Sequence, residues 1–358
     1  MTSSAGKTDY VELRCRSAFS FLEGASLPED LVAAAASGGH DALALGDRDG
    51  VYGAPRFFAA ARKTGLRPIV GAEISLAAGA APVLLLVEDR RGYQNLCQLI
   101  TAANVDRPGK HKSDPVEAWP ELLAAYAGGL TVLAGGAPRA DLPALRDLFG
   151  RDRVYLEVQR HFDADQAHRN RDVLAQAEAL GVGVVATNDV RYATPARRIV
   201  HDVLTCARAK ATVDEIGRRL PANGERWLKP PAEMSRLFRD LPAAVRATRA
   251  IAERCAFTLA NLGYTFPDYD VPDGETQQSF LEKLSWEGVG HRYDARDALL
   301  PKVRRQLERE LGIIGRLGLA GSSGTTASSR PAAITMPPEC WPRWRGRLRR
   351  PRAASQMS

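Results

Sequence analysis

The sequence of 358 residues lacks the features that mark membrane and secreted proteins. No apolar run reaches the roughly 18 residues that a spanning helix needs, and the polar start from Met1 to Tyr10 has no apolar signal-peptide core. The cysteines are scattered, odd in number and never spaced Cys-x-x-Cys, which argues against a disulfide framework and against a cysteine-based zinc site. They are Cys15, Cys97, Cys206, Cys255 and Cys340. We therefore expect a soluble, cytoplasmic protein.

Positive charge is present, but it is unevenly distributed. The formal net charge is +7, and residues 322–358 contain seven arginines, one glutamate, no lysine and no aspartate. That segment therefore carries six of the seven net charges. A basic surface that would bind nucleic acid is not predicted for the main body of the chain.

Short apolar runs alternate with helix-like segments from about residue 10 to residue 200. The predicted strands are residues 10–13, 42–45, 67–76, 82–87, 130–134, 153–158 and 183–186. A capping box at Ser26, with Glu29 three residues on, predicts the start of the first helix. This alternation predicts an α/β fold with a mostly parallel sheet, and the number of units favours a barrel-like sheet. Polar residues just past several strands point to a site at the carboxyl ends.

The pattern changes from about residue 210, where helix-like stretches dominate. Proline and glycine punctuate residues 264–274, which is typical of a linker. We expect four parts: an α/β domain over 9–210, a helical extension and linker over 211–270, a third segment over 271–321, and a basic tail over 322–358. The tail is interpreted either as a disordered arm that binds nucleic acid through arginine, Trp341 and Trp344, or as a frameshifted end. The abrupt change after a well-formed helix favours the second interpretation.

Six segments, in order and spacing, resemble the polymerase-and-histidinol-phosphatase (PHP) domain of bacterial C-family DNA polymerases, the alpha subunits of DNA polymerase III. They are residues 10–26 (YVELRCRSAFSFLEGAS), 42–53 (ALALGDRDGVYG), 68–73 (PIVGAE), 92–100 (GYQNLCQLI), 154–161 (VYLEVQRH) and 185–192 (VATNDVRY). The details are similar to the error-prone translesion branch. The resemblance implies a PHP-type distorted (β/α) barrel, followed by a mainly helical segment and the disordered tail. Residues 286–288 and 306–321 resemble the entry to the polymerase portion, so residues 271–321 would be its truncated start.

The resemblance also implies a metal site, from which this sequence departs. Active members of the family hold two or three metal ions with histidines and carboxylates at the strand ends, where the metals activate water and clamp a phosphate. Arginine occupies four of these histidine positions, namely Arg14, Arg16, Arg48 and Arg191, and a further histidine near residue 82 is absent. The positions that match the family are Asp47, Glu73, His161 and Asp189.

These replacements lead to a hypothesis about the site. A guanidinium stays protonated and offers no lone pair to a metal. We expect the arginines to have replaced the metals as counter-charges, which leaves a vestigial ion-pair cluster with no metal, no cofactor and no catalytic residue in this chain. Taken singly, each residue has an ordinary interpretation: Asp47 as a helix cap, His161 as a structural histidine, and Arg14 and Arg16 as one solvated face of a strand.

Polymerase chemistry requires paired aspartates that hold two magnesium ions. In the family these aspartates lie downstream, so Mg²⁺ is expected for the full-length polymerase rather than for this chain. Asp-x-Asp spacing occurs at residues 47–49, 163–165 and 268–270, but outside the family's catalytic context. Neither a Walker-type loop nor a Ser-His-Asp arrangement is apparent.

The resulting expectation is the N-terminal fragment of an error-prone DNA polymerase, a DNA-directed enzyme of damage tolerance, present here as a structural PHP scaffold without the polymerase active site. The implied partners of the full-length enzyme are DNA, the sliding clamp and translesion accessory proteins. Two alternatives stay open. One is a stand-alone metal-dependent phosphoesterase or 3′–5′ exonuclease, and the other is a non-catalytic nucleic-acid-binding module.

Overall fold

The computed structural model describes residues 9–76, 82–105, 121–135, 142–262, 270–294, 296, 297 and 299–321. These residues fall into two compact units that divide between Ala260 and Asn261. The basic tail and part of the expected linker lie outside the described residues, so the interpretations of both stay predictions. So does the division into four parts.

A mixed six-stranded sheet forms the centre of the first unit. Its strands follow chain order across the sheet: β1 (Ala42–Arg48), β2 (Arg67–Ile74), β3 (Val83–Val87), β4 (Leu130–Gly135), β5 (Val154–Val158) and β6 (Gly183–Ala186). Strand β3 is antiparallel to both of its neighbours, and the other three neighbouring pairs are parallel. The predicted α/β class is confirmed. Strand β3 departs from the parallel pattern because the connection from β2 is too short for a crossover helix.

The chain before the first helix joins the two edges of this sheet. Two amides of β1 donate to the carbonyls of Glu12 and Cys15 at 3.0 and 2.9 Å. On the other side, the amide of Arg16 donates to the carbonyl of Val190 at 3.0 Å, four residues after β6 ends. Residues 12–16, here called the closing segment, therefore complete a barrel-like ring. The segment makes only isolated bridges, so the predicted strand over residues 10–13 is wrong.

Ten α-helices among the described residues belong to the first unit, besides three short 3-10 helices at Arg151–Arg153, Pro195–Arg197 and Gly217–Arg219. The ten α-helices are α1 (Pro28–Ser37), α2 (Ala54–Thr64), α3 (Arg90–Val105), α4 (Glu121–Tyr126), α5 (Leu142–Phe149), α6 (Gln166–Leu180), α7 (Arg198–Ala209), α8 (Val213–Ile216), α9 (Pro231–Leu237) and α10 (Pro242–Arg254). None of the helices among the described residues combines the length and apolar character needed to cross a bilayer.

Side chains at alternate positions of the strands point to one face of the sheet and form an apolar cluster there. We call this face the inner face. Ile69 of β2 and Leu84 of β3 belong to this cluster, together with Leu13 and with Ile251 of α10. Each such side chain stabilises the fold by about 1.5–3 kcal/mol when fully buried. The opposite positions pack beneath the surrounding helices in two further clusters. The inner face matters for function because the same alternation carries charged residues at the strand ends.

The start of α1 differs from its prediction. The hydroxyl of Ser26 accepts from the amide of Ala193 at 2.9 Å instead of capping the helix. Leu27 occupies the N-cap position, and its amide donates to Asp30 at 3.2 Å. Glu29 pairs with an arginine of α2. The predicted capping box is therefore wrong, because a partner 167 residues away uses the Ser26 oxygen.

The second unit contains α11 (Gln277–Arg292) and α12 (Leu300–Leu317). The hydroxyl of Thr276 accepts from the amide of Ser279 at 3.1 Å and caps α11. Leu281 of α11 packs with Leu311 of α12 and with Ala320. These contacts give the second unit a small apolar core of its own.

Candidate site: a buried cluster of arginines and carboxylates

Charged side chains converge at the carboxyl ends of the parallel strands. Glu73 lies four residues after Ile69 on β2, so both side chains project from the inner face of the sheet. Glu157 lies two residues after Tyr155 on β5, whose ring packs against the same apolar cluster. The strand periodicity that buries an apolar interior therefore places two carboxylates above it.

Glu73 is the centre of the arrangement and is fully buried. Its Oε2 accepts from both Arg14 and Arg16. Its Oε1 lies 3.2 Å from Nη2 of Arg48. Arg14 and Arg16 are themselves only 6% and 2% exposed, and Arg14 also donates to Glu157. One carboxylate thus faces three guanidiniums, of which those of Arg14 and Arg16 are buried with it.

Asp189 provides the second anchor, just past β6. Its Oδ1 accepts from Nη1 of Arg16 at 2.9 Å and lies 3.5 Å from Nε of Arg14. Its Oδ2 accepts from Nη2 of Arg191 at 3.0 Å and also from Arg226. The backbone of Asp189 has a left-handed φ of 44°, a conformation that aspartate tolerates better than most residues.

Glu23 joins the outer part of the site. Nη1 of Arg191 donates to it at 3.1 Å, Nη1 of Arg208 lies 3.2 Å away, and Arg48 donates to its Oε1. The side chains of Arg48 and Arg208 are 35% and 48% exposed, so they form the solvent side. We call the whole set the arginine–carboxylate cluster. It consists of Arg14, Arg16, Arg48, Arg191, Arg208, Arg226, Glu23, Glu73, Glu157 and Asp189.

Asp47 lies next to this cluster but has different partners. Its Oδ1 accepts from the amide of Ser17 and the hydroxyl of Ser20, both at 2.7 Å, and its Oδ2 accepts from the hydroxyl of Ser17 at 2.8 Å. Burial raises the pKa of this carboxyl, and the serine contacts oppose that shift. The sequence suggested that Asp47 would face the arginines. It instead ties the loop after the closing segment to the end of β1.

His161 also lies beside the cluster and forms no ion pair with its carboxylates. Its Nε2 donates to the backbone carbonyl of Asn188 at 2.9 Å, and its Nδ1 accepts from the side-chain amide of Gln166 at 3.2 Å. Burial, reinforced by Arg226, lowers its pKa to about 4. The ring is therefore neutral at physiological pH, and it links the β5 loop to the segment after β6.

The charge states of the cluster follow from its geometry. Burial alone would raise the pKa of Glu73, but the surrounding guanidiniums, Arg16 and Arg14 foremost, outweigh burial and hold this pKa to about 2. The pKa of Asp189 is likewise held well below its usual range by Arg191 and Arg16 against the effect of burial. Burial, followed by the charge of Arg16, lowers the pKa of Arg191 to about 10. Glu73, Asp189 and Arg191 are thus ionised at neutral pH, whereas burial raises the pKa of Glu157 against the opposing charge of Arg14.

The donor set does not fit the metal ions that the family resemblance implies. The two anchoring carboxylates, Glu73 and Asp189, already accept from guanidiniums of Arg14, Arg16 and Arg191. A guanidinium cannot coordinate a cation, and its charge repels one. Across the described residues, no group of three or more His, Cys, Asp or Glu side chains is arranged to hold a metal.

Four members of the cluster were not predicted from the sequence. They are Glu23, Glu157, Arg208 and Arg226. Signals existed for two of them: Glu23 and Glu157 fall inside segments that carry the family resemblance, and a carboxylate in an otherwise apolar strand marks a buried partner. Arg208 and Arg226 carry no local signal, because they reach the site from a helix and a loop that follow the sheet.

A comparison with protein families defines the class of the first unit. Residues 12–161 match the family model described as "PHP domain". The match runs from the closing segment to His161 and includes β1 to β5. The first unit therefore contains a PHP domain, and the closed mixed sheet is its structural core.

Named relatives extend this assignment. An error-prone DNA polymerase of Anaeromyxobacter dehalogenans (strain 2CP-1) is 44% identical over 263 residues, which covers 71% of this chain and 23% of the relative. Another, of Mycolicibacterium paratuberculosis, is 38% identical over 336 residues, 87% of this chain and 30% of the relative. The chain is a homologue of the error-prone DNA polymerases and carries a PHP domain. It spans 23% and 30% of the length of these two relatives.

A solved structure gives a weaker match. An amidohydrolase from Chromobacterium violaceum aligns with 51% of this chain and 88% of its own, at 17% identity and a TM-score of 0.33. A likeness of this size supports no further conclusion.

Proposed function

We propose that the PHP domain of this chain is a metal-independent structural scaffold, in which ion pairs take the place of catalytic metals. One observation carries the proposal: Oε2 of Glu73 accepts from both Arg14 and Arg16, two arginines at positions where the family resemblance implies metal-binding histidines. Cationic side chains on adjacent elements neutralise the carboxylates at the strand ends, so the ring stays closed without a bound ion. No residue of the domain is assigned a catalytic role.

The scaffold is proposed to serve an error-prone DNA polymerase. Identity of 37–45% to proteins of that name supports this part of the proposal. DNA-directed synthesis in damage tolerance would then belong to a protein longer than this chain, with Mg²⁺ as its cofactor in the cytoplasm. DNA, a sliding clamp and translesion accessory proteins are the proposed partners of that longer protein.

Metal analysis of the purified chain tests the scaffold proposal. We expect less than one equivalent of zinc or manganese by elemental analysis, because each anchoring carboxylate is held by guanidiniums. Stoichiometric metal that disappears in Asp47→Asn and Asp189→Asn would contradict the proposal. So would manganese-dependent hydrolysis of a labelled single strand, which would favour a phosphoesterase or exonuclease. Glu29→Gln, at an exposed ion pair with Arg56, is the matched control for both measurements.

A further inference from the structure

A cleft outside the arginine–carboxylate cluster has the composition of a nucleotide site. It lies between the loop after β5 and helix α9 and has a volume of about 490 Å³, within the range of small-molecule sites. Its walls combine a phenyl ring with four cationic side chains and two carboxylates. They are formed by Arg160, Phe162, Lys229, Glu233, Arg236, Leu237, Arg239 and Asp240.

The cationic side chains of the cleft differ in availability. Arg160 forms a two-bond pair with Asp240, with both nitrogen–oxygen distances at 2.6 Å, and Lys229 pairs with Glu225 at 3.1 Å. Arg236 and Arg239 are exposed. Within the part of the chain that the structure describes neither is in a salt bridge, although the charge of Arg239, after that of Arg160, helps to lower the pKa of Asp240. These two guanidiniums are thus available to an anion.

Phe162 exposes its phenyl ring to solvent from a strained backbone conformation. The residue is 71% exposed, and its backbone has a φ of 57°, a left-handed conformation that bulky residues seldom adopt. The preceding residue is fixed on both sides: the amide of His161 donates to Gln166 and its carbonyl accepts from Asn223. An exposed ring held in a strained conformation by its neighbours is a pattern associated with binding loops.

We propose that this cleft binds a nucleotide unit, with the base stacked on Phe162 and the phosphate at Arg236 and Arg239. Aromatic rings stack on bases of any sequence, and arginine pairs with phosphate oxygens through parallel donors. A free mononucleotide and a nucleotide within a single strand share this chemistry. The proposal rests on the cleft alone and is independent of whether the arginine–carboxylate cluster holds a metal.

Fluorescence anisotropy of the full chain with a labelled oligonucleotide of about 12 thymidines tests the proposal. We expect Phe162→Leu to weaken binding by at least about fivefold, since stacking is lost while an apolar side chain is kept. Arg236→Ser combined with Arg239→Ser is expected to reduce the slope of log affinity against log salt by about 2. Competition by thymidine 5′-monophosphate identifies the free nucleotide as a ligand, and its failure to compete identifies the strand.

The matched control combines Arg218→Ser with Arg246→Ser, which removes the same charge from exposed positions outside the cleft. The basic residues 322–358 are identical in all variants, so differences between variants report on the cleft. Three results would each overturn the proposal: no binding by the unaltered chain, unchanged affinity in Phe162→Leu, or an equal loss of salt dependence in the control pair.

Discussion

The guanidinium of Arg16 spans the carboxyl end of the barrel by donating to Glu73 at the end of β2 and to Asp189 just past β6. Arg16 belongs to the closing segment, so the same residue that completes the ring also neutralises the charges above it. The site is therefore built into the closure of the fold. Removal of a cluster carboxylate should consequently lower the free energy of unfolding.

Replacing Glu73 by glutamine should destabilise the chain strongly. The variant removes the negative charge shared by Arg14, Arg16 and Arg48. The buried guanidiniums of Arg14 and Arg16 then keep only Glu157 and Asp189 to balance them. Breaking one partner of a buried ion pair costs about 3–5 kcal/mol, whereas an exposed pair contributes up to about 1 kcal/mol. Urea unfolding of Glu73→Gln and of the exposed control Glu29→Gln measures the difference. Equal losses in the two variants would mean that the cluster is not a structural element.

Chelation should leave the thermal stability of the chain unchanged. A metal that binds only the folded state adds to stability, and its removal lowers the melting temperature by about 2–4 °C for each kcal/mol in a unit of roughly 250 residues, such as the first unit. We expect a change of less than about 1 °C on adding excess EDTA, because guanidiniums occupy the donor set. Differential scanning fluorimetry before and after chelation makes the comparison. A drop of several degrees, reversed by zinc or manganese, would refute the ion-pair interpretation.

Stability should fall in mild acid through buried neutral histidines. Burial lowers the pKa of His40, His161 and His201 from 6.5 to about 4. Each folded-state value lies below the unfolded value, so this contribution is present above pH 6.5 and is lost as the pH falls toward 4. Over that range the unfolded chain takes up protons that the folded chain does not.

The histidine prediction is tested at His40, whose Nε2 donates to the carbonyl of Lys229 at 3.1 Å. His40→Gln keeps a donor but removes the titration. Between pH 7.5 and pH 5, the unaltered chain should lose about 2 kcal/mol more unfolding free energy than the variant. Urea unfolding at the two pH values provides the numbers. Parallel losses in both proteins would exclude His40 from the acid response.

Two helical glycines should respond in opposite directions to alanine. A Cβ at Gly92 in α3 would lie 1.8 Å from the carbonyl oxygen of Gly129, which is backbone and cannot move aside cheaply. A Cβ at Gly290 in α11 meets nothing within 4 Å. Gly92→Ala should therefore destabilise the chain, and Gly290→Ala should stabilise its helix by about 0.5–1 kcal/mol. Thermal unfolding tests both, and stabilisation by Gly92→Ala would contradict the close packing of α3 against the turn before β4.

The sequence predicted the alternation of strands and helices because buried strands and amphipathic helices leave local patterns. It failed at Ser26, where the capping pattern was present but a distant amide used the hydroxyl. It also failed to anticipate the direction of β3, because sequence periodicity is the same for parallel and antiparallel strands. Both errors concern partners that are chosen by the folded chain rather than by neighbouring residues.

The sequence alone determined that four positions near the strand ends cannot bind a metal ion. Arginine at 14, 16, 48 and 191 already excludes these positions as metal ligands, whatever the fold, since guanidinium has no free lone pair. Only the tertiary structure decided which carboxylates form ion pairs with those arginines. In the folded chain Asp47 accepts hydrogen bonds from Ser17 and Ser20. Glu23, Glu157 and Arg226 join the network from separate loops and strands. Ion pairing depends on distance across the closed ring, and that distance exists only once the closing segment has joined its two edges.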